Sequence, residues 1–109
     1  MPSTITAQAM PSSARRSVRV STPTTETSPW VVVNATATVV AKPTTSMKVQ
    51  ATCSFLDVVL ADNATGTSNA VAFDWTAGTV TATTAEMVSN VTAVRFVAVA
   101  GAAVGEVST

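Results

Sequence analysis

The chain has 109 residues and no net charge, and three residue types dominate it: 20 Thr, 19 Ala and 19 Val, against two Leu, one Ile and no Tyr or His. With 11% charged and 47% hydrophobic residues it is neither a long solvated helix or coiled coil nor a chain disordered throughout. The absence of His removes imidazole bases, Ser–His pairs and His metal ligands, and the single Cys53 forms neither an internal disulfide nor a cysteine zinc site.

Residues 1–29 differ from the rest. They hold four of the five prolines, many Ser and Thr, and the basic cluster Arg15, Arg16 and Arg19. Proline and the residue before it favour extended backbone, so this stretch is expected to be an extended N-terminal arm. Residues 17–22 alternate and suit a strand added to a neighbour's sheet edge, with a plain disordered tail as the competing reading.

Residues 30–109 are expected to form a β domain. Val33, Ala35, Ala37, Val39 and Ala41 point one way, and Asn34, Thr36 and Thr38 the other. After a turn at Pro43, Met47, Val49, Ala51, Cys53 and Phe55 form an apolar face opposite Lys48, Gln50, Thr52 and Ser54. One dry face and one wet face mark an antiparallel sheet, and these two runs are expected to pair as a hairpin. Further strands are expected at 55–60, 70–76, 79–84, 91–100 and 104–107. Residues 62–67 read as a loop, Ala77-Gly78 as a tight turn, and 84–90 as a connection with room for one helical turn. Residues 91–100 are apolar on both faces except at Arg95, so that strand needs cover on both sides, from the fold or from another subunit. A central position would give Arg95 a carboxylate partner such as Asp57 or Asp74. The fold class is all-β: an antiparallel β-sandwich or jelly-roll, or a small barrel.

The start of the chain has neither a basic n-region nor an apolar h-region, and its longest apolar run, after Arg95, falls short of the ~20 residues that cross a bilayer. Synthesis in the cytoplasm and no membrane partner are expected. The three Asn-x-Thr triplets at Asn34, Asn63 and Asn90 follow from the abundance of Thr.

The neutral total conceals a polarity. Residues 1–50 carry five basic side chains and one acidic, a net +4, and residues 51–109 carry one basic and five acidic, a net −4. This split permits head-to-tail contact between copies or docking of the arm on an acidic partner, although so few charges also fall unevenly by chance. Small side chains bury little apolar area, and no disulfide is available, so stability is expected to come from association into a homo-oligomer or a larger assembly.

Site candidates are few. Asp57, Asp62 and Asn63 offer oxygen ligands for calcium but match no calcium loop. Asp74 and Glu86 are a conceivable acid pair, with two solvated acids the plainer reading. Trp30 and Trp75 are candidates for a sugar platform; Trp75 reads better as core, and Trp30 as an anchor in a neighbour's pocket or as arm packing on its own sheet. Cys53 reads as a buried, inert thiol. Arg15, Arg16, Arg19 and Trp30 are therefore the expected partner-binding residues. No cofactor, metal or catalytic residue is expected, and three arginines without interleaved aromatics do not indicate nucleic acid.

The Thr/Ala/Val-rich strands, the segment Phe73-Asp74-Trp75-Thr76-Ala77-Gly78-Thr79-Val80-Thr81, and Val91-Thr92-Ala93-Val94-Arg95-Phe96 followed by Val99-Ala100-Gly101-Ala102 resemble small β-rich virion structural proteins of tailed bacteriophages. Capsid decoration, cement and head-fibre base proteins are the members most alike. The likeness covers roughly residues 47–107 as a strand pattern and transfers no functional residue. It implies a non-enzymatic β-sandwich or jelly-roll on a capsid shell, as a trimer or another symmetric cluster. Its partner would be the major capsid protein or another virion protein, with the arm reaching neighbouring subunits. The alternative is a carbohydrate-binding or adhesin-like β module of a phage tail or cell surface.

Overall fold

The structure, a computed structural model, describes residues 17–65 and 69–108. Its elements are β1 (Ser17–Thr22), β2 (Val31–Pro43), β3 (Ser46–Thr52), α1 (Leu56–Thr65), β4 (Ala72–Asp74), β5 (Thr84–Ala100) and β6 (Ala103–Ser108). The six strands form one antiparallel sheet in the order β1-β6-β2-β5-β3-β4. The fold is thus all-β and sandwich-like, as the composition predicts, with one short helix.

The sheet becomes a sandwich because its two long strands bend. β5 spans 17 residues and serves two neighbours in succession. Its first half pairs with β2, and residues 93–100 pair with β3. The register of β2 slips between Val32 and Ala35 and again before Ala37, while Asn90 in β5 takes a φ of 58°. Bulges and left-handed residues bend strands, and these fall beside one another, so the sheet turns a corner there. β1, β6, the second half of β2 and the first half of β5 make one layer. The second half of β5, β3 and β4 make the other.

At the opposite end, short links carry the chain between layers. After β1, the N–H of Thr25 donates to the carbonyl of Ala98 (2.8 Å), and that of Ser28 to the carbonyl of Phe96 (2.8 Å). The Thr44-Thr45 link between β2 and β3 lies on the Gly101-Ala102 link between β5 and β6, and the N–H of Thr44 donates to the carbonyl of Ala102 (3.1 Å). Gly101 has a φ of +71°, which favours glycine, and a Cβ there would make a tight 3.0 Å contact with Thr45 Oγ1.

The core between the layers is built mostly from small side chains around two aromatic rings, Phe96 and Trp75. Phe96 is fully buried among Val20, Val39, Met47, Val49 and Val107. A Cβ on Gly105 would lie 2.3 Å from its ring, so the ring fills the space that glycine leaves on β6. A second, smaller core lies outside the sandwich, where α1 sets Val59 against Trp30, Val32, Ala70 and Ala93.

Several local expectations are corrected. β2 and β3 do not form a hairpin, because β5 lies between them. Residues 55–60 give a helix: their short apolar run has no decisive period, Asp57 suits a first helical turn, and the apolar outer face at Val32 and Ala93 needs a cover. Residues 84–90 are the first half of β5, since pairing with β2 supplies the hydrogen bonds that a helical turn would otherwise provide. The stretch 79–83 contributes only Val80, which bridges Met47, while Thr84 opens β5, and β4 is three residues long. Cys53 and Phe55 are exposed, because β3 ends at Thr52 and the alternation ends with it. The alternating strand foreseen within the arm pairs with β6 of its own chain, and the core begins there, at Val18.

Candidate functional site

The two layers close at the linked end and stay apart at one side. There, the first half of β5 and the short strand β4 are both sheet edges. Between them runs an open groove of about 490 Å³. Its floor comes from Trp75, Val88 and Val91, which belong to the sandwich core. Phe73 and Met87 stand at its lips, 46% and 67% exposed. These two large apolar side chains are on the surface because their strands have no further neighbour to cover them.

Short strands hold the groove open in a defined shape. β4 pairs with β3 through Phe73 opposite Ala51, which sends Phe73 to the core side beyond the last covered position. The N–H of Trp75 then donates to the carbonyl of Val49 (3.0 Å), and its indole Nε1 to the carbonyl of Gly78 (3.0 Å), which seats the ring in the core. The N–H of Thr76 donates to Glu86 Oε2 (3.2 Å), and Cys53 Sγ donates to the carbonyl of Asn90 (3.3 Å). The first bond crosses to β5 from the segment after β4, the second from the end of β3.

The remaining charges tie strands together. On the outer face of the first layer, Glu106 of β6 accepts from Arg19 Nη2 of β1 (2.9 Å) and from Lys42 Nζ of β2 (2.6 Å). The bonds from Lys42 and Arg19 hold the Glu106 carboxyl below its ordinary value of 4.5. On the outer face of the second layer, Arg95 lies 4.4 Å over the Trp30 ring and donates from Nε to Gln50 Oε1 (2.9 Å). Burial pushes the pKa of its guanidinium below its ordinary value, and the charge of Asp62 pulls it back up. Arginine stays ionised at neutral pH through such a shift. Gln50 Nε2 passes the chain on to Asp74 Oδ1 (3.2 Å), and Asp74 Oδ2 lies 3.6 Å from Lys48 Nζ.

The expected site residues are thus dispersed. Trp30 is 1% exposed and packed under α1, so it is used for packing on its own sheet and presents no face to a sugar; Trp75, 4% exposed, is core as expected. Arg19 is 67% exposed along its side chain yet bound to Glu106. Arg15 and Arg16 lie outside the described residues. Arg95 answers to Asp62, Gln50 and Trp30, and not directly to Asp57 or Asp74, because α1 brings Asp62 to that face. Asp62 is buried and accepts from the N–H groups of Asn69 (2.8 Å) and Ala70 (2.6 Å), so it ties the chain at 69–70 to α1. Asp74 and Glu86 both line the groove, each engaged by its own internal donor. Among the described residues no group of three His, Cys, Asp or Glu side chains is placed to hold a metal, and no helix is long and apolar enough to cross a membrane.

What sequence reading missed is the groove itself. Its only sequence signal was Phe73 and Met87, large apolar residues in a chain that has few. Compared with family models, curated proteins and solved structures, the chain matches none.

Proposed function

We propose that the chain is a non-enzymatic structural subunit of a virus particle, a decoration or cement protein that binds a capsid lattice and stabilises it by association. The observation that carries this reading is the open groove flanked by two free sheet edges, with Phe73 and Met87 at its lips. An uncovered edge recruits another strand through its free N–H and C=O groups, and apolar side chains beside it add buried area on contact. The charged side chains support the same reading, since those described above brace strands and tie chain segments together. Such bracing suits a module whose task is to keep a shape while other chains press on it.

The reading is tested by quantitative mass spectrometry of virus particles purified from cultures in which the chain is made. It predicts many copies per particle, retained through washing in high salt. Particles free of the chain, or a chain present only in the lysate, would contradict it. A glycan array probed with the same protein is expected to stay blank, because both tryptophan rings are buried.

A further inference from the structure

We infer that the groove receives the N-terminal segment of a second copy, residues 4–10, added as a strand along the free edge of β5. The inference rests on the association reading above and names the contact through which association occurs.

The receiving edge is specific. Residues 84–91 bond to β2 on one side; on the other, among the described residues, no backbone–backbone bond is made, and the carbonyl of Asn90 alone is engaged, by Cys53 Sγ, which leaves 84–89 as the open edge. The outer edge of β1 carries Arg19, an exposed charge of the kind that guards an edge against pairing. The edge of β5 has no basic residue, and its one acid, Glu86, is turned to the N–H of Thr76. What stands beside it is Met87, with Phe73 across the groove.

The occupant follows from the chain that precedes Ser17. Residues 1–14 contain no charged side chain, and Ile5, Ala7 and Ala9 alternate with Thr4, Thr6 and Gln8. A strand of that pattern has one apolar face of modest width, suited to a groove floored by Trp75, Val88 and Val91.

Reach decides whose segment it is. β1 runs antiparallel to β5, so a segment added antiparallel to β5 runs in the same direction as β1. Joining two strands that run the same way takes a connection of about a dozen residues, and only residues 11–16 are available between them. Ser17, Ser108, Thr38 and Met87 form one cross-strand row, so the two edges lie about 14 Å apart at ~4.8 Å per strand; six extended residues cover that distance, and it is the reversal of direction for an antiparallel strand that they do not accommodate. A second copy is free of this restriction.

Two full-length variants test the inference. Ile5→Asp spoils the segment and leaves the groove; Phe73→Lys with Met87→Lys spoils the groove and leaves the segment. The groove variant alters side chains already 46% and 67% exposed, and circular dichroism checks that each variant keeps the wild-type β spectrum. In sedimentation velocity the wild type is expected to run as an assembly and each variant as a single chain. An equal mixture of the two variants is expected to run as one-to-one pairs, because one supplies the intact segment and the other the intact groove. As a second readout, amide exchange at residues 84–91 is expected to be slow in the wild type and at least tenfold faster in Ile5→Asp. A wild type and variants that all assemble alike would overturn the inference and leave the association reading standing. A mixture that stays as single chains would also overturn it. A wild type that is a single chain at every concentration would overturn both.

Discussion

The two halves of β5 share one strand and differ in almost everything else. Residues 93–100 have β3 on one side and the run from Thr25 to Ser28 on the other, and they bury Val94, Phe96 and Ala98 completely. Residues 84–91 have β2 alone, and Met87 among them is two-thirds exposed. The difference shows how a chain poor in large side chains divides its resources. It completes one half of the sandwich around a single phenylalanine and leaves the other half with an edge and a groove. The completed half, around residues 93–100, supplies the stability; the open half, along residues 84–91, offers the surface to which the proposed function assigns a partner chain.

The contrast can be broken at the closed half. Phe96→Ala is expected to cost about 3–5 kcal/mol, read as a fall in the midpoint of urea unfolding, since the ring is fully buried. Gly105→Ala is expected to cost about 1–3 kcal/mol as overpacking, because the new Cβ would stand 2.3 Å from that ring. Arg95→Ala follows with about 0.5–2 kcal/mol, for the loss of the stack on Trp30. Arg95→Lys should recover less than half of that loss, because an ammonium does not lie flat on the ring.

The contrast sharpens at the surface ties and at the open half. Glu106 is held below 4.5 in the folded chain by Lys42 and Arg19. Its contribution is therefore full above that value and is lost as the pH falls through the lowered one. The stability difference between the wild type and Glu106→Gln should be present at pH 7 and vanish in acid, as measured by urea unfolding across the range. At the open half, Phe73→Ala and Met87→Ala should leave monomer stability within about 0.5 kcal/mol of the wild type. If either lowers it as much as Gly105→Ala does, the two halves are not distinct in the way described.

Much of this was legible from residue type alone. The dry face of Met47, Val49 and Ala51 is where alternation places it, with each residue at most 1% exposed. Trp75 in the core and the strand after residue 90 follow from the same rule. Legibility failed where tertiary context overrode local pattern. Residues 55–60 form a helix because an apolar patch on β2 and β5 needed covering, and nothing within that window says so. Residues 84–90 form a strand because β2 offers a partner more than 40 residues earlier in the chain. The groove was not legible because it depends on strand order, and strand order depends on the bend at Asn90 and the slips in β2. Alternation places Cys53 and Phe55 inward only on a β3 that continues past Thr52, and β3 ends there.

The most direct test of the account is the mass of the intact chain in solution, by light scattering at rising concentration. The account predicts a mass that is a multiple of the 11.1 kDa of one chain, reached cooperatively and lost when residues 1–16 are removed while the β spectrum remains. A folded species of one-chain mass at every concentration, with or without those residues, would contradict it.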